Sequence, residues 1–344
     1  MPPADAEPIT SPHNPQVRLA RALLAAGGRR RHRAFLVEGL RLVEAAADAT
    51  RPRLVLHTPD FGRTDARQRG LLRRLRAAGV PLRPVAPRVL AQVTDTVTPQ
   101  GIVAVVSLPE DDRRPPPAAR RPACEPSSRP LGPVAGPGTL GGGRRSAGGA
   151  GGAEEPAPLA LVLDAIGDPG NAGTLLRSAA AAGVTRVLAT TGTVDCYAPK
   201  VVRAGAGAHF CLPLLADCSW ELVRQTLPAP CQVLLADARA ATAYWDVDWT
   251  RPSALIVSNE AHGASAAARA LAAAAIAIPM RRTESLNVAV AGSIILFEAL
   301  RQRAGRWPVA SGQPGTHLAE VPSWNHECAT HLAGHGCRPN GASN

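Results

Sequence analysis

Short apolar runs of strand length alternate with stretches whose apolar residues recur every three or four positions, and this predicts an α/β fold. Two further observations sharpen the expectation. Strand candidates in the second half are apolar throughout, as in a mostly parallel sheet covered by helices on both faces. Between the two patterned regions, residues 109–158 hold 11 Pro and 10 Gly and no Phe, Trp, Tyr or Ile. Such a segment cannot bury enough apolar surface to offset its chain entropy and reads as a disordered linker. The expected organisation is a small α/β domain over 9–108, the linker, a second α/β domain over 159–305, and a polar tail over 306–344, also read as disordered.

In the first domain, Ser11-Pro12-His13-Asn14-Pro15 gathers turn formers ahead of Val17, Leu19, Leu23 and Leu24, which have helical spacing. The run Arg29-Arg30-Arg31-His32-Arg33 follows. Phe35-Leu36-Val37-Glu38-Gly39 reads as a strand closed by a turn, 40–49 as a helix, and Leu54-Val55-Leu56 as a second strand. Residues 71–78 suit part of a helix, and Ile102-Val103-Ala104-Val105-Val106 is a strong strand. The second domain opens with the strand Leu159-Ala160-Leu161-Val162-Leu163, a Gly/Asp/Pro/Asn loop and a helix from about 174 to 182. Val187-Leu188-Ala189, Val233-Leu234-Leu235-Ala236 and Ala254-Leu255-Ile256-Val257 read as further strands, with a fifth across 273–278. A long amphipathic helix closes the domain at 288–303.

Charge is unevenly distributed. The 344 residues carry 38 basic and 27 acidic side chains, net +11, and all but one of the basic residues, Lys200, are arginine. Residues 1–108 hold 17 basic against 8 acidic, while 159–305 hold 12 against 11. The first domain is therefore the polyanion-seeking part. Aromatic content of 3% argues against a protein whose main work is stacking single-stranded bases. No run of about 18 apolar residues exists, so no membrane span is expected. The N-terminus carries Asp5 and Glu7 and no apolar stretch, unlike a signal peptide. Seven cysteines without close pairing point to a reduced, cytoplasmic compartment. In the tail, His326, Cys328, His331, His335 and Cys337 lack the pair-spacer-pair arrangement of zinc modules, and no metal is expected.

Three loops at strand C-terminal ends, where open α/β sheets gather ligands, carry the polar chemistry. The first is Asp164-Ala165-Ile166-Gly167-Asp168-Pro169-Gly170-Asn171-Ala172-Gly173, with Arg177 a turn later. Its glycines fall as G-x-x-G-x-x-G, not the dinucleotide G-x-G-x-x-G, and it lacks the lysine of a P-loop. The planar fork of Arg177 suits phosphate. The second loop is Val257-Ser258-Asn259-Glu260-Ala261-His262-Gly263, whose Glu260 could equally cap the next helix. The third is Ile278-Pro279-Met280-Arg281-Arg282-Thr283-Glu284-Ser285-Leu286-Asn287, where Ser285 or Asn287 could cap the last helix. Small residues from Val288 to Ser293 let another backbone approach closely.

Together these stretches resemble the three motifs of the SpoU/TrmH family of SPOUT-class RNA ribose 2′-O-methyltransferases. The matching segments are LDAIGDPGNAGTLLRSAAAAGV, IVSNEAHG and IPMRRTESLNVAVAGSIILFEALRQR, with DCYAPKVVRAGAGAHFCLP similar to the segment between the first two. SPHNPQVRLARALL, RRRHRAFLVEGLRLVEAA and VTDTVTPQGIVAVV resemble the family's N-terminal substrate-binding domain. The resemblance covers about 10–108 and 159–305 and departs at two places. Ser258 stands where the family usually has Gly, and the third motif is one residue short and lacks a Gly before Ser285.

The resemblance implies a SPOUT-type catalytic domain with a C-terminal trefoil knot, preceded by a small α/β RNA-binding domain. It implies S-adenosyl-L-methionine as cofactor, a homodimer, and RNA as partner, with ribosomal RNA as the expected substrate and neither DNA nor membrane. By its pattern Arg177, Asn171, Glu260, Ser285 and Asn287 are the active-site residues. Ser258, Asn259, Gly263, Ile278, Met280 and Leu286 line the cofactor pocket. Arg29, Arg30, Arg31 and Arg33 of the basic run are expected to meet RNA. A transfer RNA substrate, or a non-catalytic RNA-binding protein of the same fold, are the alternatives.

Overall fold

The computed structural model describes residues 7–96, 98–109 and 157–303. The expected linker, apart from its ends, and the whole tail with its Cys/His cluster lie outside the described residues. The N-terminal part runs through α1 (Pro15–Ala22), α2 (Ala26–His32), β1 (Ala34–Glu38), α3 (Leu40–Ala49), β2 (Leu54–His57), α4 (Ala66–Ala77), β3 (Leu82–Pro84), α5 (Pro87–Leu90) and β4 (Ile102–Ser107). The C-terminal part begins β5 (Leu159–Asp164), α6 (Pro169–Ala181), β6 (Arg186–Thr190), α7 (Pro199–Gly205), a 3-10 turn at Ala208–Phe210 and β7 (Leu214–Cys218). It continues through α8 (Trp220–Thr226), β8 (Gln232–Ala236), β9 (Thr242–Ala243), β10 (Ser253–Ser258), α9 (Ala266–Leu271), β11 (Ala274–Ala277) and α10 (Val288–Arg303).

Two sheets result. The first is four-stranded in the order β1-β4-β2-β3; β4 is antiparallel to both neighbours, and β2 and β3 are parallel. The second is seven-stranded in the order β7-β6-β5-β10-β8-β11-β9, with every pairing parallel. Its central strands β5 and β10 are buried along nearly their whole length, which is why their sequences are apolar without alternation. Helices α1 and α5 cover one face of the small sheet with Val17, Ala20, Leu23, Val89 and Leu90. The other face joins a core that continues into the parallel sheet, with Phe35, Val43 and Leu75 in the same cluster as Leu161, Val201 and Leu296.

Local chemistry explains the boundaries. Asn14 accepts from Gln16 N at 2.9 Å and Pro15 opens α1, the usual N-terminal pairing of cap and proline. Helices α3 and α10 span the expected residues. Helix α6 starts five residues earlier than the sequence suggested. Asp168 accepts from Asn171 N at 2.7 Å and Pro169 opens the first turn, so Asn171 and Gly173 lie in helix rather than loop. Gly173 is required there because a Cβ would sit 2.4 Å from Ala204 Cβ and 2.7 Å from Val201 O of α7. At a separate contact of α6, with α10, Gly292 lets that helix approach Leu175, and Ser178 and Ser293 share a hydrogen bond of 2.7 Å.

One expectation is overturned. Arg29 is 4% exposed and does not face solvent with the rest of the basic run. Its Nε and Nη2 donate to Asp195 Oδ2 at 2.9 and 2.6 Å, and its Nη1 donates to Leu23 O and Leu24 O at 2.7 and 2.8 Å. A guanidinium with its donors occupied and no water access cannot hold an RNA phosphate; Arg29 instead ties α2 to the segment before α7. Arg30, Arg31 and Arg33 remain exposed. Nearby, Arg203 of α7 pairs with Asp95 at 3.0 Å and approaches Glu38 at 3.9 Å.

Candidate active site

The parallel sheet delivers the three polar loops to the C-terminal ends of β5 and β10 and the segment after β11. Asp164, the last residue of β5, is 2% exposed and its Oδ2 accepts from Ser265 N at 2.8 Å. Ala165 follows at φ 54, a left-handed conformation that costs a non-glycine residue of order 1 kcal/mol. That turn points its carbonyl at Asn259, whose Nδ2 donates to it at 2.8 Å. Asn259 Oδ1 in turn accepts from Ala261 N and His262 N at 2.9 and 3.2 Å, which closes the second loop into a tight turn ending at Gly263, φ 67.

Glu260 does not cap α9; Ser265 does, accepting from Ala268 N at 3.1 Å. The carboxylate of Glu260 instead accepts a hydrogen bond from Asn171 Nδ2. Asn171 Oδ1 accepts from Asn287 Nδ2 at 2.9 Å. Asn287 Oδ1 accepts from Ala289 N and Val290 N at 2.9 and 3.2 Å, so one side chain both caps α10 and joins the chain. Three residues separated by 89 and 116 positions thus form one continuous hydrogen-bonded line, Glu260–Asn171–Asn287, with one member from each motif loop.

Beside this line opens a cleft of about 500 Å³. Ser258, Asn259, Gly263, Ile278, Met280 and Leu286 all line it, as do Glu260 and Ser285. Arg177 lies about a turn and a half beyond Asn171 on α6, exposed, with no ion pair or hydrogen-bond partner among the described residues. Ser285 is likewise exposed and unbonded among the described residues. The Ser258 hydroxyl is buried and has no hydrogen-bond partner there either.

Sequence reading missed Asp237 and Arg269, which also line the cleft. Asp237 accepts from Arg239 N at 3.0 Å and from Arg269 Nη1 at 3.2 Å. The Arg239 amide, then the Arg269 guanidinium, hold its carboxyl below the usual carboxylate range. Its signal was positional: Asp237 is the first polar residue after the buried strand β8, at the sheet edge where ligands gather.

A model of the SpoU rRNA methylase family matches residues 158–297, and one of the MRM3-like substrate-binding domain matches residues 14–104. An uncharacterized tRNA/rRNA methyltransferase of Synechocystis is 32% identical over 314 residues, covering 91% of this chain and 98% of that one. The chain belongs to the SpoU rRNA methylase family. A 23S rRNA (uridine-2′-O)-methyltransferase of Streptomyces viridochromogenes is 35% identical over 152 residues, covering 42% of this chain and 53% of the relative. Among solved structures, the SpoU methyltransferase AviRb of Streptomyces viridochromogenes, in complex with AdoMet, aligns with a TM-score of 0.66 at 29% identity. It covers 85% of this chain and 99% of that one. The two models thus fall on the two halves separately, and the three loops joined by hydrogen bonds lie within the SpoU match.

Proposed function

We propose that this protein transfers a methyl group from S-adenosyl-L-methionine to a ribose 2′-hydroxyl of ribosomal RNA. The line Glu260–Asn171–Asn287, set against the cleft, is the observation that carries the reading: it joins residues from all three family motifs at one point. Membership of the SpoU rRNA methylase family and the matched substrate-binding domain favour ribosomal over transfer RNA.

The cleft suits the cofactor. Its volume falls within the roughly 300–1,000 Å³ of small-molecule sites. Ile278, Leu286 and Val288 supply apolar wall and Asp237 a carboxylate, a mixture fitting an amphipathic nucleoside. The unpartnered Ser258 hydroxyl is a polar atom that a bound ligand would satisfy. Serine in place of the family's usual glycine is thus compatible with a ligand here. Asn259, Gly263 and Met280 would complete the holding set.

When bound, S-adenosylmethionine supplies an electrophilic methyl carried on a sulfonium. The chain's own work is to hold the ribose hydroxyl in line with it and to balance the charge that develops. Asn171 and Glu260 orient groups around the hydroxyl, each already fixed by the other. Asn287 and Ser285 hold the third loop and the substrate. The hydroxyl's proton passes to solvent water as the methyl arrives, because a guanidinium that is always protonated cannot take it. Arg177, unpaired and exposed, therefore grips the adjacent phosphate and stabilises negative charge on the 2′-oxygen.

The same reading includes a trefoil knot in the C-terminal part and a homodimer. Val290 and Phe297, 47% and 48% exposed on α10, offer an apolar face for a second copy. Four described cysteines, Cys196, Cys211, Cys218 and Cys231, are free thiols, which supports a reduced, cytoplasmic setting. Purified protein is expected to bind S-adenosylmethionine by calorimetry and to transfer labelled methyl to ribosomal RNA. Mapping of ribose methylation with and without the gene then names the nucleotide. No cofactor binding, together with no transfer to any ribosomal RNA fragment, would sink the proposal.

A further inference from the structure

Resting on that RNA methyltransferase reading, we propose that the outer face of α4 is a docking surface for the phosphate backbone of RNA. Residues 63–76 hold six arginines and a single acid, Asp65. Asp65 is used locally: its Oδ1 accepts from Arg67 N and Gln68 N at 2.7 and 3.2 Å and caps α4. Leu71, Leu72 and Leu75 are buried and anchor the opposite face of the helix in the core.

The helix arginines then sort into two groups. Arg67 pairs with Glu44 at 2.6 Å and Arg74 with Asp48 at 2.7 Å, both acids belonging to the neighbouring α3. Arg69, Arg73 and Arg76 are exposed and have no ion pair among the described residues. Their spacing of four and three positions puts them on one stripe, with Cβ atoms about 5–6 Å apart. Like charges at that spacing destabilise a helix. The stripe runs for roughly 10 Å along the axis. Arg69 Nη1 donates to Arg63 O at 2.8 Å; Arg63 itself is exposed but has the Asp60 carboxylate nearby, so the row proper is Arg69, Arg73 and Arg76.

A row of uncompensated guanidiniums, beside two that found acidic partners, is complementary to a polyanion of regular charge spacing. Guanidinium forks match phosphate oxygens bidentately and are weakly hydrated. Residues 63–76 contain no Phe, Tyr, Trp or His, and Phe61 just before them is buried at 6% exposure, so the helix itself offers no platform for stacking bases. It therefore contacts backbone and positions the RNA without reading sequence. The α2 run is the weaker surface, because Arg29 is committed to Asp195.

The test compares full-length wild type, a combined Arg69→Gln, Arg73→Gln, Arg76→Gln variant, and a combined Arg30→Gln, Arg31→Gln variant. Binding to a labelled RNA stem-loop is measured across a salt series. Three lost phosphate contacts should make the slope of log affinity against log salt shallower by about 2–3, and weaken binding by roughly tenfold or more at low salt. The α2 variant should lose less. Melting temperature and S-adenosylmethionine affinity report whether the fold is intact, and the single Arg73→Glu variant gives an independent loss of RNA affinity without a triple change. If wild type binds and methylates RNA but the triple variant and Arg73→Glu match its affinity and slope, the surface is wrong and the function stands. If wild type binds no RNA at all, both readings fall.

Discussion

The two halves of this chain use polar residues in opposite ways. Around the parallel sheet, net charge is close to zero, and the polar side chains that matter spend their hydrogen bonds on one another across 89 and 116 positions. Around the small sheet, charge is abundant and mostly arginine, and its heads face water, pair with a nearby acid or, as in Arg51 and Arg53, hold backbone carbonyls. The first pattern holds atoms still, as an in-line transfer requires. The second attracts a polyanion over a distance and tolerates mobility. Arg29, like Arg53, tests the division: an arginine of the basic half whose work is structural.

The comparison breaks first at Asn171. It both donates to Glu260 and accepts from Asn287, so Asn171→Ala severs the line at its centre. Methyl transfer should fall by roughly 10²–10³, the scale seen when one positioned polar group is removed. Melting temperature should move little, because the site is exposed. A loss of stability matching the loss of transfer would show that the line is scaffold rather than active site.

A second break is at Arg29. Removing it leaves Asp195 without its guanidinium and Leu23 O and Leu24 O without a donor. Arg29→Ala should cost about 3 kcal/mol by chemical denaturation, the low end for a buried pair that loses one partner, because the Asp195 side chain is 33% exposed. An equal effect from Arg31→Ala would erase the distinction drawn between buried and exposed members of that run.

The smallest effect sharpens the contact between the halves. His209 stacks near Phe35 and Tyr197 at ring distances of 6.3 and 5.6 Å, and its Nε2 lies 2.7 Å from Cys196 O. Burial pushes its pKa below the ordinary 6.5. The folded chain therefore binds fewer protons there than the unfolded chain between the two values. Stability should be intact above about pH 6.5 and fall as pH drops below it, with half-buried His57, shifted the same way, adding to the slope. Thermal melts of wild type and His209→Gln between pH 5 and 8 should show a flatter dependence for the variant. Identical slopes would remove His209 as a contributor.

Much of the fold is legible in the residues themselves. Helices α3 and α10 end where their apolar periodicity ends, and β5 and β10 appear as unbroken apolar runs because both their faces are covered. Other elements were not read from the sequence, among them β3, β7, α7, α8 and α9, and two further cases show the physical reason. Helix α2 reads Ala-Gly-Gly-Arg-Arg-Arg-His, with no apolar face; its Arg29 is anchored by Asp195, 166 positions away. The first turn of α6 contains Pro, Gly and Asn, which favour loops locally, yet an Asp168 cap and the close approach of α7 make it helical.

What the sequence offered alone is a set of candidate side chains. The three motifs, through their resemblance to the family, mark Asn171, Arg177, Glu260, Ser285 and Asn287, because such patterns are local and survive in one dimension. Only the tertiary structure decided who touches whom. It bonded Asn171 to Glu260 and Asn287, drew Asp237 into the cleft, and took Arg29 out of solvent. Hydrogen bonds act over about 3 Å whatever the distance along the chain, so partners become visible only once the sheets have brought them together.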